Sequence, residues 1–335
     1  MTLTATHIGP TVIRRALPVT ALLLALVAGG VLSLSTGGRT DVGLWQLFSP
    51  DGLAASVLAD IRAPRTLVAA LLGINLGIAG LVLQAVTRNP LASPSILGIN
   101  QGAALGLALS LILPGLAGAA QDVMAVAGAI GAGAITFAIA GGFSGKTDPM
   151  RLILGGMAVG AFAFATVRFT YTLDDDIART VVRWTVGDIT DIRWPAVNRL
   201  AWVAVPGLLA AFALSHRLNL MAMGQDQAQG LGADPRVTLS LGALIAAVMA
   251  GVSVTVAGPI AFTGLVVPHL ARFLFGEDNR VLVPTTALIG AALMMVADGL
   301  SKILTAPIEA PIGVIAALIG APWFLWQTLR RDAFQ

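Results

Sequence analysis

The chain has 335 residues, of which 56% are hydrophobic and only 11% are Asp, Glu, Lys or Arg, against roughly 25% charged in an ordinary soluble domain. A soluble globular enzyme is excluded, and with 0 Cys so are disulfides, thiolate metal sites and thiol nucleophiles. The formal net charge of +3 rests on few and scattered charges, which suits loops at a membrane surface and not a nucleic-acid patch.

A spanning helix takes about 20 apolar residues, so a chain of 335 residues with short connections holds roughly ten spans and no second folded domain. The first apolar run, 16–34, follows Arg14 and Arg15. It reads as a signal peptide or a first span, and its length favours an uncleaved span. Further runs occupy 66–87, 95–113, 123–143, 152–172, 200–215, 238–257, 260–275, 285–305 and 312–329. Both termini then lie on one side, which the Lys and Arg bias assigns to the cytoplasm. The expected fold is an all-α integral membrane protein of about ten transmembrane helices, a single domain over residues 1–335.

Gly73 with Gly77, Gly98 with Gly102 and Gly106, and Gly156 with Gly160 follow the small-xxx-small spacing that lets helix backbones approach. Segments 75–94 and 253–268 each run through Ala-Gly (Ala79-Gly80, Ala257-Gly258) to a Pro-bearing turn, an echo of the kind that marks inverted repeats. Residues 140–147, Ala-Gly-Gly-Phe-Ser-Gly-Lys-Thr, spell an Ala-started variant of a phosphate-binding loop. Such a loop needs a strand before it and a helix after it, whereas 123–139 reads as a membrane helix. Lys146 is therefore read as an anchor on the positive side.

Arg62-Ala63-Pro64-Arg65 precede the second run, with Pro64 expected to hold the backbone extended. After the run come Arg88-Asn89-Pro90-Leu91-Ala92-Ser93-Pro94 and Leu97-Gly98. Pro90 and Pro94 end a span and shape a tight re-entry, while Asn89 satisfies backbone groups that the break exposes. The series continues through Trp184 and Gly187, Leu231-Gly232, Ala257-Gly258-Pro259-Ile260 and Gly264-Leu265-Val266-Val267-Pro268-His269. It closes with Ala297-Asp298, Glu309-Ala310-Pro311-Ile312-Gly313 and Gly320-Ala321-Pro322-Trp323-Phe324. In this order over 62–330, the motifs resemble the FecCD-like permeases of type II ABC importers for ferric siderophores, haem and vitamin B12. The wording is most similar to the ferric citrate-type iron-chelate permeases.

The resemblance implies a subunit of the type II importer permease fold, pairing with a second permease copy or a homologue above two cytoplasmic ATPases that bind ATP and Mg. This chain would bind no cofactor or metal of its own. A binding protein delivers cargo from outside a bacterial cytoplasmic (inner) membrane. Arg62 and Arg65, with Lys302 as a third contact, are expected to meet acidic residues of that protein, since arginine suits carboxylate forks; the family often has Arg at the Lys302 position. The polar stretch 223–232, with Gln225, Asp226, Leu231 and Gly232, matches the family's ATPase-coupling helices.

Asp298 and Lys302 stand one turn apart and are expected to pair, and His269 to be packed or hydrogen-bonded. Arg168, Arg179 and Arg183 are expected near the outer entrance as a positive funnel for an anionic chelate. The alternative pairs Arg179 and Arg183 with Asp174, Asp175 and Asp176 and has Arg168 snorkel outward. An ion-coupled secondary transporter would need midplane acids, and Asp298 is nearly the only acid within a run. A channel lacks a filter-like sequence.

Overall fold

The computed structural model describes residues 10–37, 52–113, 121–142, 148–170, 186–306 and 308–332. Among them are helices and turns and no strand, as lipid requires of a chain that must satisfy its backbone polar groups within each segment. The helices are α1 (Pro10–Ser35), α2 (Leu53–Val57), α3 (Ala63–Thr87), α4 (Ile99–Ile112), α5 (Gln121–Ile139), α6 (Pro149–Thr170), α7 (Trp194–Ala222), α8 (Gln225–Gly230), α9 (Pro235–Ala257), α10 (Thr263–Phe275), α11 (Asn279–Leu304) and α12 (Ile312–Asp332). Each of the apolar runs carries one of them. Seven stretches are long and apolar enough to cross a bilayer, while the apolar parts of α4, α10 and α12 are shorter. The chain is a multi-pass membrane protein.

The central helix is α3, whose Val68, Leu72, Ile78, Leu81 and Leu83 are fully buried. At the edge stands α1, turning Leu17, Leu24 and Val27 outward, where only lipid can cover them. Glycine brings the backbones together. A Cβ at Gly73 would stand 1.9 Å from the Gly290 carbonyl oxygen, and one at Gly80 would stand 1.8 Å from that of Gly264. Gly102 and Gly106 likewise meet Gly128 and Met124, and Gly156 meets Ile96 and Leu97. The small-residue spacing in the sequence is therefore a helix-contact device. With Gly77 against Thr286 as well, α3 and α11 run antiparallel. Gly242 against Val82 and Val86 makes α9 antiparallel to α3 too.

Two helices are short because non-helical backbone makes part of their crossing. At the inner end, by the Lys/Arg bias, α3 stops at Thr87 and Arg88 takes a left-handed conformation, φ 49°. The chain turns back through 89–98, and α4 starts inside the bundle with Gly98 against Gly156 and Gly160 of α6. At the outer end α9 stops at Ala257, and Gly258 and Phe262 take φ of 74° and 64°. Then α10 starts with Gly264 packed on Gly80 and Pro94. The two echoed segments are thus re-entrant turns from opposite faces, and they touch.

One expectation fails locally. Pro64 does not hold an extended backbone; helix runs on from α2 through a π-helical turn, Leu58–Arg62, into α3. A proline ring clashes with the carbonyl four residues back, here that of Asp60. The π turn widens the helix at that carbonyl, with the Ala63 N–H donating to Leu58 O, so Pro64 fits the first turn of α3.

Candidate functional site

Four charges from three parts of the chain meet at the outer end. Arg65 on α3 donates from Nε to Asp298 Oδ1 at 2.7 Å, and its Nη1 pairs with the carboxylate of Glu309. Lys302 Nζ meets Asp298 Oδ2 at 2.6 Å and donates to Ser33 O at 2.8 Å. The Ser33 hydroxyl donates to Asp298 Oδ2 at 2.6 Å and lies 2.6 Å from Thr66 Oγ1, tying α1 to α3 and α11. Burying Asp298 completely is tolerable only with this saturation, since an uncompensated buried charge costs several kcal/mol. Two cations and two anions leave the cluster neutral. The i,i+4 pair of Asp298 and Lys302 is present as its spacing implied.

The structure adds what the spacing could not. Arg62, Arg65 and Lys302, expected to face outward, are 4%, 4% and 6% exposed. Arg65 and Lys302 are drawn inward by Asp298. Arg62 donates to Leu34 O and Ser35 O at 3.1 and 3.2 Å, satisfying carbonyls that the end of α1 leaves without helical partners. Glu309 is the member that sequence reasoning missed, although it lay within a motif already singled out. An acid beside Pro311 at the end of a span was the available signal.

Arg168 lies on the exposed side of α6, its guanidinium 5.6 Å from the Phe164 ring centroid, a cation–π contact one turn away. Arg179, Arg183 and Asp174 to Asp176 lie outside the described residues. So do residues 143–147 of the loop ending in Lys146, whose preceding segment is the helix α5. His269 is buried, its Nδ1 2.8 Å from Leu265 O and its ring edge-on to Phe324 at 5.7 Å.

At the inner end the stretch 223–232 forms a small docked helix. Gly224 and Gly232 bracket α8 with φ of 118° and 86°, and the buried Ala228 packs with Met221 and Ala233. The Ala233 N–H donates to Ala228 O at 2.9 Å. Asp226 and Gly232 are exposed, Gln225 is half-buried, and Leu231 is 59% exposed, an apolar side chain presented beyond the span. Beside it Asp278 caps α11, accepting from the Arg280 N–H at 3.0 Å and from Asn219 Nδ2 at 2.7 Å. The Arg280 N–H, then Asn219, hold this exposed carboxylate below its ordinary range. Arg272 reaches from α10 to Gln84 of α3 and pairs with Glu277 at 3.4 Å. A crevice of about 200 Å³ between α4, α5 and α9 is apolar apart from Ser240, with Phe137 and Leu244 in its lining.

Two inverted re-entrant turns around a central helix, with an exposed docked helix at one face, define a membrane transport protein built on inverted halves. The chain belongs to the FecCD transport family, whose model matches residues 19–330. The Fe(3+) dicitrate transport system permease protein FecC of Escherichia coli K12 is 40% identical over 282 residues, 83% of this chain and 85% of that one. The iron(3+)-hydroxamate import system permease protein FhuB of Bacillus subtilis 168 is 35% identical over 317 residues, 92% of this chain and 82% of that one. A solved inward-facing ABC transporter assigned to the metal-chelate type superposes with a TM-score of 0.81 at 29% identity, over 93% of this chain and 98% of its own.

Proposed function

We propose that this chain is the permease subunit of an ATP-driven importer that moves a ferric chelate across a bacterial cytoplasmic membrane by alternating access. The family match over 19–330, with relatives named for iron(3+) dicitrate and hydroxamate transport, supports the reading. The chain is a transport subunit and not an enzyme, and binds no cofactor itself. Two cytoplasmic ATPases bind ATP and Mg, and a second permease copy or homologue completes the pathway. The exposed Leu231 and Asp226, carried on a helix pinned by Ala228, support α8 with Gln225 and Gly232 as the ATPase contact. Arg62, Arg65 and Lys302, buried at the outer end in this structure, mark the docking site for a binding protein and would have to give up internal partners to contact it, and Arg168, Arg179 and Arg183 favour anionic cargo at the entrance.

Reconstitution tests this reading. Uptake of ferric citrate into proteoliposomes is expected to need ATP inside and loaded binding protein outside. Uptake driven by an ion gradient without ATP would overturn it. Reversing Asp226 to Lys together with Leu231→Ala is expected to leave the fold intact and abolish more than about 90% of transport by uncoupling it from ATP hydrolysis, a loss of about 1.4 kcal/mol or more in effective coupling. Unchanged transport would remove α8 from the mechanism.

A further inference from the structure

Arg65 divides its guanidinium between two carboxylates of unlike standing. Asp298 is 0% exposed and is held by Arg65, Lys302 and the Ser33 hydroxyl at 2.6–2.7 Å. Glu309 is 22% exposed, and its ion pair among the described residues is with Arg65 Nη1. Without Asp298, Lys302 would stand buried and uncompensated and Arg65 would keep Glu309 alone. Without Glu309, Asp298 keeps both of its cations, and the Nη edge of Arg65 opens toward the outer surface.

We propose that Glu309 is an internal stand-in for a carboxylate of the docking protein: at rest it occupies Arg65, and docking exchanges one carboxylate for the other. This rests on the reading of Arg65 as a docking contact, and it accounts for an expected docking arginine being buried. The exchange keeps the cluster at two cations and two anions, so no charge is stranded at any stage. The displaced Glu309 is already partly exposed and gains hydration on release, which offsets part of the ion pair it gives up.

The location of Glu309 gives the exchange a consequence. Its neighbour Ala310 donates its N–H to Ser301 O at 3.2 Å, fastening the α11–α12 connection to α11. Four residues beyond Glu309, the Gly313 N–H donates to Gly187 O at 3.0 Å. A Cβ at Gly187 would stand 3.2 Å from the Gly313 Cα, so the first turn of α12 and the segment at 187 move together or not at all. Releasing Glu309 therefore loosens the outer end of α12 in the same event that seats the partner. Glu309 is a positioning residue that makes the outer end of the permease responsive to docking.

The test uses the complete transporter in nanodiscs, and the probe is the ferric-chelate-loaded binding protein that stimulates its ATP hydrolysis. Glu309→Gln leaves the cluster one positive charge in excess, and is expected to lower the docking Kd about five- to tenfold with a steeper salt dependence. In an Arg65→Gln background the same change is expected to have no effect on Kd. Because the chain has 0 Cys, Ala310→Cys gives a single thiol in this subunit. Its maleimide labelling is expected to accelerate on docking, and to be fast before docking when Glu309→Gln is also present. If Arg65→Gln weakens docking while Glu309→Gln does not tighten it, the exchange is overturned and the docking reading stands. If neither changes Kd, the docking reading falls and takes the exchange with it. Should Glu309→Gln fail to assemble, Glu309→Asp, with its shorter reach to Arg65, is expected to give a smaller gain of the same sign; no gain overturns the proposal.

Discussion

The two re-entrant turns enter from opposite faces and are held by different chemistry. In the inner turn, side chains take up the backbone groups that the broken helix releases. Asn89 Oδ1 accepts from Leu91 N–H at 2.9 Å, Ser93 Oγ from Ile96 N–H at 3.3 Å, and Thr136 donates to Leu97 O at 3.1 Å. In the outer turn, among the described residues, backbone meets backbone: Gly258 N–H donates to Val254 O at 2.8 Å and Thr263 N–H to Ala261 O at 2.8 Å, while the Thr263 hydroxyl points away to Met294 Sδ at 3.5 Å. Each turn also holds one non-glycine residue at positive φ, Arg88 at 49° and Phe262 at 64°, a conformation that costs an L residue roughly 1–2 kcal/mol. The inner turn thus depends on side-chain caps, and the outer turn on its backbone bonds and helix contacts.

The largest effect is expected where the turns touch. Gly80→Val puts atoms inside the Gly264 backbone, and thermal unfolding in detergent should show a loss on the order of 3 kcal/mol or failure to assemble. A near-native melting curve would mean that α3 and α10 can separate there without cost.

Next come the caps. Asn89→Ala and Ser93→Ala should each cost about 1 kcal/mol, with faster amide exchange confined to 88–98. If exchange rises equally in 258–263, the two turns are one cooperative unit and the contrast fails.

A smaller change is expected from Phe262→Gly, which relieves strain but loses the packing of the Phe262 ring and Cβ near Gly320. Net stability should shift by less than about 1 kcal/mol, while exchange in the outer turn increases. A loss as large as that of Asn89→Ala would show that the outer turn is held by its side chain after all.

The smallest effect lies at the inner end, beyond the far end of α10, where Asp278 caps α11. Its folded-state pKa lies below its unfolded value, so its contribution is present above the unfolded value and disappears as pH falls through the folded one. Asp278→Asn keeps an acceptor for the Arg280 N–H and should flatten that acid limb of the melting temperature while slightly lowering its neutral plateau, by the contribution the ionised carboxylate made there. An unchanged acid limb would assign the dependence to another group.

Much of this was legible in the chain. Apolar runs located the helices, four-residue glycine spacings located their contacts, and Asp298 with Lys302 announced a pair, because each is a local pattern with a local physical cause. The partners of Arg65 lie 233 and 244 residues away, and no periodicity reports a contact of that span. Pro64 misled for a related reason. Its restriction on the preceding residue is a tendency, and the π turn at Leu58–Arg62 removes the clash behind it. The short lengths of α4 and α10 were equally hidden, since apolar residues cover the re-entrant backbone as fully as they cover a helix.

That π turn sets a phase. An α-helix advances about 100° per residue, so one surplus residue before Ala63 fixes the angular offset between everything upstream and Arg65. Removing a single residue from 58–61 would restore an ordinary helix and swing α2 about a quarter-turn around the axis, while Arg62, downstream of the deletion, would keep its place against the Leu34 and Ser35 carbonyls. Arg65 would stay on Asp298. In this segment a one-residue deletion is a rotation, and chain length there tunes which face α2 presents to its neighbours.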